Sequence, residues 1–204
     1  INSNADLIIR GDGSLSITST DTCIKSKSNL TIESGTYNLI AGDNGDGLRA
    51  NEILTIQNGI FDISAGECLE ATQIIINGGT LNLTSSDDAI NASEKSEEGL
   101  TPIFTINGGS ITINMTQGDT DGIDSNGDIE INGGILDITA QSAFDWDGNL
   151  AFNDGAVIIN GEEVTEISNQ FDNDDMSNMG RPEENQFNFN PNSNIQFDNV
   201  DRPE

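Results

Sequence analysis

Apolar and polar residues alternate through most of the chain, and short glycine-containing turns interrupt the alternation at regular intervals. The stretch from Phe104 to Ile113 shows the pattern, because residues alternate on both sides of the turn Asn107-Gly108-Gly109. A period of two is typical of half-buried β-strands, and the repeating unit shows no helical period. The pattern therefore predicts an all-β protein.

The same unit recurs seven times along the chain. The last glycines of its turns are Gly13, Gly35, Gly59, Gly79, Gly109, Gly134 and Gly155. The intervals between them range from 20 to 30 residues and average about 24. Strand repeats of this size form solenoids, in which each coil buries its apolar face against the neighbouring coils. We predict a parallel β-helix of about seven coils over residues 1–161, starting near Ala5, with a length of about 34 Å.

Two columns of apolar residues follow the turn glycines. The positions two and four residues after each glycine are apolar in every unit, and the position between them is polar in all units but the last. The alternation predicts that both apolar columns face the core and that the intervening side chains face water. The exception is Ile158, which we expect another segment to cover.

Three segments depart from the repeat. Residues 162–204 form a tail rich in Asn, Asp, Gln and Pro, which is either disordered or docks on the last coil through Phe171, Phe187, Phe189 and Phe197. A polar insertion runs from Ser93 to Pro102, and it is either a wall of a binding site or a tolerated surface loop. Because the chain begins almost inside a strand, at Leu7, we expect it to be part of a longer protein.

The charge of the chain restricts its partners. Seven basic residues oppose 35 acidic residues, which gives a net charge of −28 and argues against binding to nucleic acids or anionic membranes. No histidine is present, so histidine-dependent catalysis and ordinary zinc sites are excluded. Carboxylate and amide oxygens are abundant, and these ligands suit calcium.

Acidic residues recur at a second turn of the unit. In neighbouring coils their carboxylates would lie about 5 Å apart and repel one another, and a bound cation would relieve this repulsion. Two coils together supply the six to eight oxygens that calcium requires. The candidate calcium groups are, first, Asp119, Asp121, Asp124, Asp145 and Asp147; second, Asp87, Asp88 and Asn91; and third, Asp43, Asp46, Glu67 and Glu70. The alternative for each group is a solvated acidic face.

The two cysteines test the predicted alignment. Cys23 and Cys68 fall in the same column, two coils apart. Their separation would be about 9.6 Å, because strands are spaced at about 4.8 Å. This distance exceeds the limit of about 7 Å for a disulfide. We therefore expect two buried free thiols.

Trp146 lies in an inward column that otherwise holds alanine or serine. It either closes the core near the end of the helix or offers a platform for a sugar ring. We assign Trp146, Asn126 and Asp128 as candidate carbohydrate-binding residues. One position of the acidic turn forms a column that we expect to face outward, and it holds Lys25, Arg49, Glu70, Asn91, Asp124 and Asp145. Arg49 lies beside Glu70 in this column, where an ion pair is the simpler interpretation and a catalytic role the alternative.

The serial motifs resemble those of a known family. They are Asp46-Gly47-Leu48, Asp121-Gly122-Ile123-Asp124-Ser125-Asn126-Gly127, Ile131-Asn132-Gly133-Gly134 and Phe144-Asp145-Trp146-Asp147-Gly148. In their order they resemble a bacterial family of carbohydrate-binding right-handed parallel β-helix proteins, found in clostridia and other Firmicutes. The resemblance implies calcium binding, acidic plant polysaccharides as ligands and a fold similar to that of pectate lyases.

The residues and the resemblance together lead to three functional hypotheses. The first is an extracellular or cell-surface, monomeric protein that binds acidic polysaccharide or cellulose through calcium-bearing acidic turns, without catalysis. The second is a calcium-dependent polysaccharide lyase, which needs a base such as Arg or Lys beside the metal. The third is a structural or adhesive rod of the cell surface. None of the three involves insertion into a membrane.

Overall fold

The computed structural model describes residues 1–95, 99–116 and 120–169, and these residues form 22 β-strands and no helix. Sheet A contains β1 (Asn2–Ser3), β4 (Ile24–Ser26), β7 (Asp46–Ala50), β10 (Glu67–Ala71), β13 (Ile90–Ala92), β16 (Asp121–Ser125) and β19 (Ser142–Trp146). Sheet B contains β2 (Leu7–Ile9), β5 (Leu30–Ile32), β8 (Ile53–Ile56), β11 (Gln73–Ile76), β14 (Ile103–Ile106), β17 (Asp128–Ile131) and β20 (Leu150–Phe152). Sheet C contains β3 (Ser14–Thr18), β6 (Thr36–Ile40), β9 (Ile60–Ala65), β12 (Thr80–Ser85), β15 (Ser110–Met115), β18 (Ile135–Thr139), β21 (Ala156–Ile159) and β22 (Glu162–Val164).

Each of the seven coils contributes one strand to each sheet, and strands of successive coils pair in parallel. The predicted parallel β-helix of seven coils is therefore confirmed. Two details of the prediction were wrong. The acidic segment is a third strand of the coil and not only a turn, and the first coil begins at Asn2, whose strand β1 pairs with β4.

The predicted inward columns form the core. In sheet C, Phe61 pairs with Leu81, and Leu81 pairs with Ile111. All three side chains are fully buried, whereas Asp62 and Asn82, which lie between the inward positions, are exposed. The aromatic rings of Tyr37 and Phe61 stack with centroids 4.8 Å apart and an interplanar angle of 10°. The alternation along each strand thus separates the core from the solvent as the sequence predicts.

The turn between sheets B and C explains why glycine recurs in the repeat. Gly109 has a φ of +95°, a conformation that other residues rarely adopt. A Cβ atom there would also lie 2.7 Å from the carbonyl oxygen of Gly79 in the preceding coil. Both the backbone conformation and the close stacking of successive turns therefore require glycine.

A ladder of side-chain amides runs along the same turn. Asn77 donates to Gln57 at 3.0 Å, Asn107 to Asn77 at 2.8 Å, Asn132 to Asn107 at 3.0 Å and Asn153 to Asn132 at 2.8 Å. Each bond joins neighbouring coils, so the recurring asparagine stabilises the stacking at the exposed turn. Bonds of this kind typically contribute about 0.5–1.5 kcal/mol each.

Cys23 and Cys68 are both buried and unbridged, as predicted. The strand pairs place Gly47 between them in the column, because Ile24 and Leu69 both pair with Leu48. A Cβ atom on Gly47 would overlap the Cγ2 atom of Ile63, so only glycine fits there. Burial raises the pKa of the Cys68 thiol to about 12, which keeps this thiol protonated and unreactive.

The last coil is covered by residues that the sequence assigns to the tail. Asn160 and Gly161 have φ values of +53° and +84° and reverse the chain, so that β22 pairs antiparallel with β21. Ile158 pairs with Glu163 and is half-buried, and Val164 packs against the core. The expectation that another segment would cover Ile158 is met in part by β22. The predicted anchors Phe171, Phe187, Phe189 and Phe197 lie outside the described residues.

No helix long and apolar enough to span a membrane occurs in the described part of the chain.

Candidate functional site

A continuous strip of polar and acidic side chains follows sheet A from the third coil to the seventh. It consists of Asp46, Glu67, Glu70, Asp88, Asn91, Asp121, Asp124, Asp145 and Asp147, and we call it the acidic strip. Strand register pairs Glu70 with Asn91, Asn91 with Asp124, and Asp124 with Asp145. The structure therefore confirms that these residues form one column, as the repeat predicts, although Glu70 and Asn91 are buried within it.

In the third and fourth coils the strip is neutralised by cations of the chain itself. The Nη1 atom of Arg49 lies 3.3 Å from Oδ2 of Asp46 and also contacts Oε2 of Glu70. The Nζ atom of Lys95 contacts the other carboxylate oxygen of Glu70, whose side chain is only 3% exposed. We call Asp46, Arg49, Glu67, Glu70 and Lys95 the ion-paired segment. The predicted ion pair between Arg49 and Glu70 is present.

The ion-paired segment contains most of the third predicted calcium group. One carboxylate oxygen from each of Asp46, Glu67 and Glu70 lies within 4.8 Å of the others. Asp43, the fourth member, lines an adjoining pocket of about 160 Å³ together with Asp46, Glu67 and Asp87. Asp87, which the sequence assigns to the second group, thus also borders the third group.

The second predicted group connects the other two. The Nδ2 atom of Asn91 donates to Oε1 of Glu67 at 3.2 Å and lies 3.5 Å from Oδ2 of Asp88. The Oδ1 atom of Asp88 accepts a hydrogen bond of 2.9 Å from the backbone amide of Asp121. The three groups are therefore parts of one strip and not separate clusters.

In the fifth to seventh coils several buried oxygens lack a hydrogen-bond partner. We call Asp88, Asn91, Asp121, Asp124 and Asp145 the carboxylate segment. Within the described residues, Oδ1 of Asn91, Oδ1 of Asp145 and Oγ1 of Thr120 are buried without a partner. Asn91 is only 9% exposed. Buried polar atoms are normally satisfied, and carboxylate, amide and hydroxyl oxygens are the types of ligand that calcium takes.

Burial, and after it mutual repulsion, raises the pKa values of three carboxyl groups in the carboxylate segment. The pKa of Asp124 rises to about 7, first because of burial and then because of the charges of Asp88, Asp145, Asp121 and Asp147. Burial raises the pKa of Asp88 to about 6, although its hydrogen bond from Asp121 acts in the opposite direction. Burial, followed by the charge of Asp121, also raises the pKa of Asp145. A bound cation would relieve this repulsion.

The pKa of Glu67, in the ion-paired segment, is also raised. Burial and then the charge of Glu70 raise its pKa to about 8, although the ammonium group of Lys95 opposes the shift. The cationic groups of Arg49 and Lys95 both contact Glu70, and neither forms an ion pair with Glu67 among the described residues.

The sequence matches a known protein family. A family model described as carbohydrate-binding domain-containing protein matches residues 1–120 and, in a second overlapping match, residues 72–199. The chain belongs to this family. Membership supports a carbohydrate-binding role. No curated protein and no solved structure matches the chain significantly.

The predicted sugar-contacting residues of this carbohydrate-binding protein differ in their surroundings. Trp146 is half-buried and packs against the core, which favours the core-closing interpretation of this residue. Asn126 is exposed. The Oδ1 atom of Asp128 accepts hydrogen bonds from the backbone amide and the side chain of Asn149, at 2.8 and 3.2 Å. Asp128 thus joins two coils, and a role for these three residues in sugar binding stays a prediction.

Two residues at the strip were not found from the sequence of this carbohydrate-binding protein. Lys95 belongs to the insertion, which carries no periodicity, so its contact with Glu70 had no signal in the repeat. Thr120 directly precedes Asp121, outside the aligned acidic columns. One predicted ligand, Asp119, lies outside the described residues.

The raised pKa values predict how the stability of the metal-free carbohydrate-binding protein depends on pH. A carboxyl group whose pKa is raised by folding stabilises the fold fully below its unfolded pKa, about 4, and this contribution is lost as pH rises through the folded value. The folded values are about 6 for Asp88, 7 for Asp124 and 8 for Glu67. In chelator, the melting temperature is therefore expected to fall between pH 5 and pH 8.

Thermal unfolding followed by circular dichroism checks this expectation. Asp124→Asn should make the decrease smaller, because the substitution removes one of the titrating groups. A melting temperature that rises between pH 5 and pH 8 in chelator would contradict the assigned environment of these carboxylates.

Proposed function

We propose that this protein is a non-catalytic, extracellular or cell-surface module that binds acidic polysaccharide through calcium held in the carboxylate segment. The observation that carries the proposal is that buried oxygens of Asn91 and Asp145 lack a hydrogen-bond partner on both sides of Asp124, in a column of carboxylates that repel one another. Family membership supplies the carbohydrate, and the carboxylate segment supplies the ligands for calcium.

The chain's own residues would hold the ion between neighbouring coils. Asp124 and Asp145 are paired in register, and Asn91 adjoins Asp124 in the preceding coil. Asp88 is already oriented by the backbone amide of Asp121. Because Asn91, Asp124 and Asp145 project from hydrogen-bonded strands, their positions are largely set before the ion binds, which reduces the entropic cost of binding.

Calcium would also explain how a chain of charge −28 binds a polyanion. The ion can be coordinated by carboxylates of the protein and by uronate carboxylates of the polysaccharide at the same time. Direct contacts with sugar hydroxyls would come from outward polar side chains such as Asn38, Asn82 and Thr112 in sheet C. Several weak contacts along a rod add up, so we expect longer oligosaccharides to bind more tightly.

A neutral glucan such as cellulose is the second candidate ligand, because the outward residues of sheet C are mostly uncharged. Binding to cellulose would use these hydroxyl and amide groups and would not depend on calcium. The third possibility from the sequence, a structural or adhesive rod, differs from the proposal mainly in its partner.

A calcium-dependent lyase is the alternative reaction class. It requires a base beside the metal and the uronate. Arg49 and Lys95 both lie at the acidic strip, but each forms an ion pair with Glu70. Both cationic groups are therefore held against the ion-paired segment, and neither forms an ion pair with a member of the carboxylate segment among the described residues.

A co-sedimentation experiment tests the proposal. The full chain is mixed with insoluble polygalacturonate or with cellulose, in calcium or in chelator, and bound protein is measured. We expect retention on polygalacturonate in calcium, release in chelator, and no unsaturated uronide after long incubation. Retention that is unaffected by chelator would contradict the calcium bridge, and accumulation of unsaturated product would establish the lyase instead.

A further inference from the structure

The ion-paired segment and the carboxylate segment differ in charge although the same columns run through both. In the ion-paired segment, three carboxylates of Asp46, Glu67 and Glu70 face the cationic groups of Arg49 and Lys95. Asp124 and Asp145 have no ion-pair partner among the residues that the structure describes. The first segment therefore has a formal charge of −1 when all five groups are ionised, which is too little for a divalent cation.

We propose that Lys95 is a resident counter-ion that occupies the place of a divalent cation among Asp46, Glu67 and Glu70, and so directs metal ions to the carboxylate segment. That metal ions bind at the carboxylate segment rests on the proposed function. That Lys95 fills a cation position is argued from the contacts of the ion-paired segment alone.

The position of the Lys95 ammonium supports this inference. Its Nζ atom contacts Oε1 of Glu70, while Arg49 contacts Oε2, so both oxygens of this buried carboxylate are engaged. An ammonium group is a compact charge that interacts with carboxylate oxygens without a fixed geometry. It can therefore replace a metal ion in a cluster of oxygens, with one unit of charge instead of two.

The backbone of the insertion holds Lys95 at this position. The backbone amide of Lys95 donates to Oγ1 of Thr72 at 2.9 Å. At the other end of the insertion, the carbonyl oxygen of Thr101 accepts a bond of 3.0 Å from the side chain of Gln73. Because the ammonium is tethered to the same chain, its effective concentration at Glu70 is high, and a free ion must compete with it.

The remaining ligands of the ion-paired segment are arranged as if for a cation. Oε2 of Glu67 is buried without a hydrogen-bond partner in the described part of the chain. The other oxygen of Glu67, Oε1, accepts a hydrogen bond of 3.2 Å from the Nδ2 atom of Asn91 and is thereby fixed in position. Removal of the Lys95 charge would leave a formal charge of −2 around unsatisfied oxygens, which matches a divalent cation in charge and ligand type.

The test compares the calcium stoichiometry of the full chain with that of Lys95→Met, measured by calorimetric titration and by metal analysis after dialysis. Lys95→Met keeps a side chain of similar length without the charge, and we expect it to bind one more calcium ion per chain than the unsubstituted protein. Lys27→Met is the matched control, because Lys27 is exposed and forms no ion pair with the acidic strip in the described part of the chain. This control should keep the original stoichiometry. An unchanged stoichiometry in folded Lys95→Met would overturn the inference.

The single variant Glu70→Gln, which keeps Lys95, gives a second test. This test does not depend on whether Lys95→Met folds. If Lys95 excludes metal from this group, Glu70→Gln should leave the number of bound ions unchanged. Loss of one ion would show that the group holds calcium in the native protein and would overturn the inference. A complete lack of calcium in the unsubstituted protein, with one ion gained by Lys95→Met, would contradict the proposed function while supporting the role of Lys95.

Discussion

Phe61→Ala is expected to lower the free energy of unfolding by about 3–5 kcal/mol, as large-to-small substitutions of buried aromatic residues do. Phe61 is fully buried in the third coil, stacks on Tyr37 and pairs with Leu81 in the next coil. The rigid neighbouring strands cannot collapse into the vacated space, so the cavity persists. Urea unfolding followed by circular dichroism measures the change.

The neighbouring residue Ile60 provides a matched control. It belongs to the same strand but is 56% exposed on the outward face. Ile60→Ala should change the free energy of unfolding by less than about 0.5 kcal/mol, as surface substitutions usually do. Equal losses for Ile60→Ala and Phe61→Ala would mean that the strand alternation is assigned to the wrong faces.

Asp124→Ala is expected to lower calcium affinity by about tenfold or more, which corresponds to about 1.4 kcal/mol of binding free energy. Asp124 is central to the carboxylate segment, because it pairs with Asn91 and Asp145 and is influenced by four neighbouring carboxylates. Its removal takes away a ligand oxygen and a negative charge. Calorimetric titration measures the affinity, and co-sedimentation should show weaker retention on polygalacturonate in calcium.

Two further variants test whether the loss of calcium affinity is specific to Asp124 and whether Arg49 has a catalytic role. Asp62→Ala makes the same change in net charge on the exposed face of sheet C and should preserve both affinity and retention. Arg49→Ala should hardly affect retention if the protein only binds polysaccharide, but it should abolish product formation if the protein is a lyase that uses this residue. Equal losses in Asp62→Ala and Asp124→Ala would contradict a localised calcium site.

Parts of the candidate site could be predicted from the sequence because, in a solenoid, equivalent positions of successive repeats are neighbours in space. Glu70, Asn91, Asp124 and Asp145 occupy equivalent positions in successive repeats, and in the structure they are neighbours in one column. In a fold with less regular connections, residues about 24 positions apart would have no such relation. The repeat therefore allowed the outward column to be assigned before the structure was known.

The charge state of the strip could not be derived in the same way. The sequence placed Asp46, Glu67 and Glu70 in a third group of calcium ligands on equal terms with the others. The structure adds Lys95 from the insertion, and a loop that departs from the repeat has no column from which its contacts follow. Likewise, the link between Asn91 and Glu67 depends on side-chain conformations that alignment does not determine.

The sequence by itself determined the parallel β-helix, its seven coils, its inward and outward columns and its two unbridged cysteines. It could do so because the period of two along strands and the spacing of turn glycines are local properties of the sequence. Each coil repeats them, and the coils stack in register. Only the tertiary structure revealed the third strand of each coil, the antiparallel strand β22 and the division of the acidic strip into two segments. These features depend on contacts of single, non-repeated segments, whose positions are decided by packing and charge and not by the repeat.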